Sequence, residues 1–403
     1  MSKVLLGDVA EERRETCRGN KDGYPTVGLE HLTPEEITLT SWDEGSDNTF
    51  TKMFRKGDVL FGRRRAYLKK AAVAPFDGIC SGDITVIEAK PNYLLPELLP
   101  FIIQNDALFS FAVEKSAGSL SPRVKWEHLK SYEFELPNMD KQRELAELLW
   151  AMDDTKKSYQ QLIAATDELV KSQFIEWFGD PAWNTLKLPI STIGQETECI
   201  VAGQCLNGSP GVLRQGEKAV LKVSAVTYGY FKEDEYKVLY DVKQVSKGIC
   251  PMKGDLLFSR ANTREYVGAT ALIDEDYPNL FLPDKLWKLV FKESIHPVFA
   301  KHFLSHPSMR KVLSEMATGT SGSMYNISMD KLRSLKIIVP NHSAQEQFVE
   351  FARQSDKSKF AVLNCLKRNL LLILQKTEDV HSLINQSAKK YFCKSCHREN
   401  HNG

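Results

Sequence analysis

The sequence lacks any long uninterrupted run of apolar residues. Hydrophobic residues make up 42% of its 403 residues and charged residues 26%, a balance typical of soluble globular proteins. No apolar stretch approaches the roughly 18 residues of a membrane-spanning helix, and residues 1–6 are too few for the core of a signal peptide. We therefore expect a cytoplasmic protein of two or three domains that has no membrane partner.

An excess of charge of one sign is missing as well, because 53 Lys and Arg residues stand against 52 Asp and Glu. Any nucleic-acid binding must then depend on local basic patches. The eight cysteines are scattered except for Cys393 and Cys396, so no disulfide framework is expected. Those two cysteines and His397 have the spacing of a haem-attachment site, and Cys393, Cys396 and His401 offer three zinc ligands without an evident fourth. Without an export signal, a flexible tail over residues 387–403 is the better prediction.

What the sequence does contain is an internal repeat. The segment KGDVLFGR at Lys56–Arg63 returns as KGDLLFSR at Lys253–Arg260. The segment Leu-Pro-Asn at 136–138, with Gln142 after it, returns as Val-Pro-Asn at 339–341, with Gln345 after it. Because such anchors recur in the same order with nearly the same offset, the sequence predicts two copies of one globular unit of about 140 to 160 residues.

Each copy shows short apolar runs between turn residues, which predict strands, and one helical segment. We expect an α+β fold (mixed α/β) that is rich in strands. The predicted strands are 24–29, 58–61, 71–74, 84–87 and 132–136 in the first copy, and 220–226, 255–258, 270–273 and 286–291 in the second. The predicted helices are 98–113 and 298–316.

A long amphipathic segment follows each copy. Apolar residues recur there at steps of three and four, which is typical of a coiled-coil seam. The expected seam residues are Leu145, Leu148, Met152, Leu162 and Leu169 on the first helix and Phe348, Val362, Leu366, Ile373 and Val380 on the second. We expect the two helices to pair as an antiparallel coiled coil with pseudo-twofold symmetry. The alternative is that each helix packs on its own domain. The predicted division is 1–139, 140–181, 182–341, 342–386 and the tail.

With these features the chain resembles the specificity subunits of type I DNA restriction–modification systems. The resemblance is carried by the duplicated Lys-Gly-Asp segments, the Pro-Asn entries into both long helices, and the exit from the first helix at 172–181. It implies two target recognition domains, each reading half of a split site in double-stranded DNA. It also implies two helices that act as a spacer and dock two methyltransferase subunits and the restriction subunits. A helix of about 60 Å is close to two turns of B-DNA at roughly 34 Å each, so helix length would set the gap.

The candidate DNA contacts lie after the repeated Lys-Gly-Asp segments and in two later loops. Arginine recognises guanine edges, asparagine recognises adenine, and clustered cations bind phosphates. In the first copy the candidates are Arg63, Arg64, Arg65, Tyr67, Lys69, Lys70, Arg123 and Lys125. In the second they are Arg260, Asn262, Arg264, Tyr266, Ser323, Tyr325 and Asn326. The alternatives are a solvated basic hairpin and plain connecting loops.

Signatures of catalysis are weak. Gly211–Lys218 has the glycine spacing of a phosphate loop but not the Lys-Ser/Thr pair that must follow. We find no methyltransferase signature. Asp77, Glu88 and Lys90 resemble the magnesium-binding trio of restriction nucleases, but the second copy offers no such trio. We therefore expect a non-catalytic chain without a cofactor, with S-adenosylmethionine, ATP and magnesium on partner subunits. A DNA-binding adaptor or regulator and, less favoured, a nuclease are the alternatives.

Overall fold

The computed structural model describes residues 2–45, 49–240, 245, 248–319 and 324–375. The chain divides into two compact units. The first unit holds the residues up to Gln161 and, from Val362 onward, the end of the second long helix. The second unit is Leu162–Ala361. Each unit thus takes part of both long helices, whereas the sequence-based division treats the helices as segments of their own.

The first unit is built on a four-stranded sheet, a three-stranded sheet and one pair of strands. Its strands are β1 Ser2–Leu5, β2 Ala10–Glu12, β3 Thr26–Val27, β4 Lys52–Phe54, β5 Val59–Gly62, β6 Ala71–Val73, β7 Gly78–Cys80, β8 Ile84–Ala89 and β9 Glu133–Leu136. The strand orders are β2-β8-β5-β6 and β3-β7-β4, and β1 pairs with β9. Every residue of β5 is buried, which explains its continuous apolar sequence.

The helices of the first unit cover its sheets. They are α1 Leu6–Val9, α2 Leu99–Ile103, α3 Asp106–Glu114, α4 Trp126–Leu129 and the first part of α5 Met139–Phe178. The prediction of one helix over 98–113 is wrong, because Asn105 is extended and its side chain accepts the N–H of Ala107, which starts α3 as a new helix.

The second unit repeats this plan with additional short strands. They are β10 Ile190–Thr192, β11 Thr197–Ala202, β12 Gly208–Ser209, β13 Ala219–Leu221, β14 Tyr236–Leu239, β15 Leu256–Ser259, β16 Ala261–Asn262, β17 Thr270–Leu272, β18 Leu280–Phe281, β19 Leu286–Phe291, β20 Tyr325–Asn326 and β21 Lys336–Ile338. The main sheet, β11-β19-β15-β17, matches β2-β8-β5-β6 strand for strand. The second sheet differs: β14 pairs with β13, whereas β4 pairs with β7.

The helices of the second unit are α6 Ile193–Glu196, α7 Pro297–Ser305, α8 Pro307–Met316 and α9 Met329–Ser334, with the end of α5 and the part of α10 His342–Gln375 up to Ala361. The single helix predicted over 298–316 is wrong, because His306 is extended before Pro307 and the chain restarts there. The strand predicted over 220–226 ends at Leu221, and a short 3-10 helix, Val223–Ala225, follows it.

The repeated Lys-Gly-Asp segment forms the same turn in both units. Gly57 and Gly254 have φ values of 92° and 89°, a conformation that favours glycine. The carboxylates of Asp58 and Asp255 each accept the backbone N–H three residues earlier, both at 2.7 Å. The motif therefore specifies a turn that leads into the central strand, and its recurrence supports the predicted duplication.

A buried glutamine attaches each long helix to its unit. Gln142 on α5 accepts the N–H of Leu95 at 2.9 Å and donates to the carbonyls of Tyr93 and Pro137. Gln345 on α10 makes the same three contacts, with His296, Ser294 and Pro340, each at 2.9 Å. Both glutamines are 1% exposed. Each amide group therefore satisfies three backbone groups that would otherwise be buried unpaired.

The long helices α5 and α10 run antiparallel where they meet in the second unit. The rings of Phe174 and Phe348 are 5.3 Å apart, and Lys359 pairs with Asp167. Residue numbers along α5 therefore fall as those along α10 rise, as expected for antiparallel helices. In the first unit, Leu366 of α10 packs in the same cluster as Leu149 of α5. The predicted pairing of these helices is confirmed within each unit.

The predicted seam is only partly correct. Leu145 and Met152 are buried in the first unit with Leu148 packed against their cluster, Val362 is half-buried, and Phe348 is buried in the second unit. Val380 and the side chain of Ile373 lie outside the described residues.

Two seam residues are misplaced by the prediction. Leu162 and Leu169 are 49% and 53% exposed, so their predicted burial is wrong. The buried face in the second unit instead follows Val170, Phe174 and Phe178. A straight helix has 3.6 residues per turn and drifts by about 20° per heptad from a 3.5-residue seam, which moves the apolar stripe over this length.

Three histidines distinguish the second unit from the first. His296 and His306 cap α7 and α8, where each Nδ1 accepts the backbone N–H two residues further on, at 3.1 and 3.4 Å. Burial lowers the pKa of both. Burial also lowers the pKa of His302, whose Nε2 is buried without a partner among the described residues. The corresponding residues of the first unit are Leu95, Phe101 and Asn105.

We expect the second unit, but not the first, to lose stability as the pH falls below about 6.5, the ordinary histidine value. In this window the unfolded chain binds protons that the folded histidines exclude, so acid favours unfolding. Each unit of pKa depression corresponds to about 1.4 kcal/mol. Hydrogen-exchange protection of α7 and α8, compared with α2 and α3 at about pH 7 and pH 5.5, measures the effect. The variant His306→Asn, which copies Asn105, should lose less protection. Equal losses in both units would contradict the expectation.

Candidate nucleic-acid interface

In the first unit the candidate residues form one tight turn between β5 and β6. Arg65 and Lys69 have left-handed backbones, with φ values of 55° and 52°, on either side of a 3-10 helix, Ala66–Leu68. The N–H of Arg65 donates to the carbonyl of Pro122 at 2.8 Å, which joins this turn to the loop before α4. The structure therefore brings the two candidate segments of the first unit together.

Asp83 holds two of the predicted DNA contacts. Arg123 donates to it at 2.7 and 3.4 Å, and Arg64 donates to it at 3.3 Å. Hydrogen bonding from Arg123 lowers the pKa of Asp83 and is the largest of the effects that Arg123 and Arg64 exert. The carboxylate neutralises part of the positive charge of these arginines. Their ion pairs with Asp83 also stabilise the loop, while part of each side chain faces solvent.

Two lysines of the turn also have partners within the protein. Lys69 pairs with Asp106 at 2.7 Å, and Lys70 donates to the carbonyl of Leu29 at 2.6 Å. Arg65, Lys125 and Tyr67 are exposed, and their side chains contact no ionic or hydrogen-bonding partner among the described residues. Arg63 is half-buried, and its Nε has no partner there.

In the second unit the corresponding turn carries different chemistry. Arg260 donates to the carbonyl of Asp284 at 2.9 Å and lies 5.8 Å from the ring of Trp287. The side-chain Oδ1 of Asn262 accepts the backbone N–H of Thr263 at 2.8 Å, and its Nδ2 donates to the Thr227 hydroxyl at 3.4 Å. Arg264 is exposed and lies 5.7 Å from the ring of Tyr325.

The later loop of the second unit pairs with this turn. Ala261 lies opposite Asn326 and Asn262 opposite Tyr325 in the β16–β20 pair. In the first unit Arg64 lies opposite Arg123 in the equivalent bridge. Both units therefore present the same two-segment surface with different side chains. Ser323 lies outside the described residues.

A tyrosine–lysine cluster lies beside this surface, and only one of its four residues, Tyr266, is among the sequence-based candidates. It consists of Tyr228, Tyr230, Lys232 and Tyr266. The ring of Tyr228 is 6.1 Å from that of the candidate Tyr266 and 6.4 Å from that of Tyr230. The Lys232 Nζ lies 4.4 Å from the centre of the Tyr228 ring and 5.5 Å from that of Tyr230. The Tyr-Gly-Tyr sequence at 228–230 was the available signal.

The three residues that resemble a nuclease trio bind separate partners. Asp77 accepts from Arg55 at 2.9 Å, Glu88 pairs with Arg13, and Lys90 donates to the carbonyl of Gly7. Among the described residues, no group of three or more His, Cys, Asp or Glu side chains is arranged to hold a metal ion. Cys393, Cys396 and His397 lie outside those residues.

Comparison with known proteins gives the family. A model described as the type I restriction modification DNA specificity domain matches residues 3–165 and 205–372. The specificity subunit of the type I restriction enzyme EcoEI from Escherichia coli is 28% identical over 127 residues, which are 31% of this chain and 21% of that protein. The HindI specificity subunit of Haemophilus influenzae is 24% identical over 135 residues, 32% of this chain and 29% of that protein.

The fold is shared with a solved structure. The type I restriction–modification S subunit from M. genitalium has a TM-score of 0.54 and 12% identity, over 96% of this chain and 95% of that one. The matches to the two curated relatives cover under a third of their length.

The chain belongs to the type I restriction–modification DNA specificity family. The predicted resemblance and the predicted fold class, two repeated α+β units with long helices, are confirmed. No helix in the part of the chain that the structure describes is long and apolar enough to cross a membrane.

Proposed function

We propose that this chain is the DNA-reading subunit of a type I restriction–modification complex, in which each unit reads one half of a split site. One observation carries the proposal: the same two-segment surface occurs in both units with different side chains. A duplicated scaffold with changed contacts is what reading two different half-sites requires.

The two surfaces differ in ways that bear on base recognition. The first unit offers the exposed Arg65 and Lys125 and the carboxylate-paired Arg64 and Arg123, a set suited to guanine edges and phosphates. The second offers Asn262, a residue type that pairs with adenine, and Arg264. We therefore expect half-sites of different sequence.

Partner binding is the second part of the proposal. We propose that the long helices dock two methyltransferase subunits, and restriction subunits with them. Leu162 and Leu169 are about half exposed on α5 and offer apolar surface to a partner. Methyl transfer and cleavage, with their S-adenosylmethionine, ATP and magnesium, would then belong to the partners, and this chain would be non-catalytic.

Purification of the tagged full chain from its host tests the partners. We expect it to retain two methyltransferase subunits, counted by native mass spectrometry. A chain that binds specific DNA but recruits no methyltransferase would favour the adaptor or regulator. Cleavage of DNA by the chain with magnesium alone would favour the nuclease.

Methylome sequencing tests the division of recognition between the units. The wild-type chain should direct methylation to a split site. Arg65→Ala should relax or weaken only one half-site and Arg264→Ala only the other, each by about 1 to 3 kcal/mol if the lost contact is to a base. Equal loss at both half-sites in each variant would contradict the assignment of one half-site to each unit.

A further inference from the structure

The tyrosine–lysine cluster of the second unit is an exposed aromatic surface that the core does not explain. Tyr228 and Tyr230 are 58% and 44% exposed. Between them Gly229 has a φ of 81°, so the chain turns sharply and both rings reach the surface. The adjacent Phe231 packs against a buried cluster and lies 4.9 Å from the ring of Tyr277. The half-buried Phe231 therefore fixes this segment to the core, while the side chains of Tyr228 and Tyr230 face solvent.

The charge of Lys232 is held by rings and not by a carboxylate. Its ammonium lies over Tyr228 and Tyr230 and forms no ion pair within 4.0 Å in the described part of the chain, although its charge helps to lower the pKa of Glu235 from a longer distance. Arg264 on the neighbouring turn is held in the same way by Tyr325. Other candidate cations pair with carboxylates: Arg64, Arg123 and Lys69 in the first unit and Arg260 in the second. A cation oriented by aromatic rings keeps its full charge for an external anion.

The cluster also adjoins the candidate base-reading residue. Thr227, which directly precedes Tyr228, lies 3.4 Å from the amide nitrogen of Asn262. Tyr266, from the same turn as Asn262, contacts Tyr228. A duplex that reached Asn262 would therefore place its sugar–phosphate backbone near these side chains.

We propose that the tyrosine–lysine cluster is a DNA backbone site of the second unit, with Lys232 bound to a phosphate and the Tyr228 hydroxyl donating to the same strand. The proposal rests on the proposed function and deepens it. Such contacts hold the duplex in register for Asn262 and Arg264 without reading sequence. The chemistry is that of a phosphodiester in double-stranded DNA.

Binding of a random-sequence duplex DNA pool to the full chain, in the complex in which it is purified, tests this site. Lys232→Ala should weaken binding about tenfold for all sequences alike and reduce the slope of log affinity against log salt by about 1. Lys232→Arg should restore most of the loss. Lys237→Ala removes the same charge from an exposed lysine on β14 and serves as the matched control.

A second set of variants, which replace tyrosine with phenylalanine, tests the contribution of the hydroxyl group apart from that of the ring. Tyr228→Phe should weaken binding about threefold to tenfold, whereas Tyr240→Phe, at a tyrosine 79% exposed in the same unit, should not. If Lys232→Ala matches Lys237→Ala while Asn262→Ala still relaxes one position of the selected sequence, the backbone site is refuted and the proposed function stands. A changed sequence preference in Lys232→Ala would also overturn it, because a phosphate contact carries no sequence information. If the wild-type chain selects no sequence at all, the proposed function itself fails.

Discussion

Replacing Phe174 with alanine is expected to lower the free energy of unfolding of the second unit by about 3 to 5 kcal/mol. The ring is 1% exposed and lies 5.1 to 5.5 Å from those of Phe178, Phe299 and Phe348. Its removal leaves a cavity at the point where α5, α7 and α10 meet, and neighbouring aromatic rings relax into such a space only partly.

Chemical denaturation of the full chain, followed by hydrogen exchange in each unit, measures this effect. Ile175→Ala is the matched control, since the next residue on the same helix is 37% exposed and should cost much less. A loss of similar size in both variants would show that the aromatic contacts of Phe174 contribute no more than a partly exposed aliphatic side chain.

The variant Gln345→Ala is expected to cost about 3 kcal/mol in the second unit. It removes an amide that is 1% exposed and leaves the N–H of His296 and the carbonyls of Ser294 and Pro340 without their partner. The loss combines unpaired backbone groups with a small cavity. Gln142→Ala should cost a similar amount in the first unit, because its contacts are the same.

Gln354→Ala on the same helix provides the reference for this experiment. Among the described residues its exposed side chain bonds only to Glu350, so its removal should change stability by less than about 0.5 kcal/mol. Thermal unfolding of the three variants would compare the costs directly. If Gln345→Ala behaves like Gln354→Ala, the buried amide does not attach the helix to its unit.

The sequence predicted those parts of the fold that depend on local pattern. The Lys-Gly-Asp turns, the central strands β5 and β15 and the long helices follow from glycine conformation, apolar runs and helical spacing. The breaks at Asn105 and His306 were missed, because a capping side chain competes with helical periodicity over only one or two residues. Leu162 and Leu169 were misplaced because a seam drawn at 3.5 residues per turn departs from a real helix.

The sequence predicted which segments form the candidate site, but not which of their side chains pair with one another. Nothing local shows that Asp83 pairs with Arg123, which lies 40 residues further along the chain. Nor does local sequence show that Tyr228 lies beside Tyr266, since that contact depends on how two distant segments meet. Placement on the surface, exposure and charge pairing are tertiary properties, and the structure supplies them.

The division of the chain has a consequence for its synthesis. Leu162–Ala361 is inserted, in chain order, between two parts of the first unit, and Leu366 contributes to the core around Leu149. The core of the amino-terminal unit is therefore completed by a helix segment that is made after the whole inserted unit, which has all its residues earlier. We expect nascent chains that stop near Ala361 to protect α7 and α8 from proteolysis and to leave the start of α5 open to a chaperone.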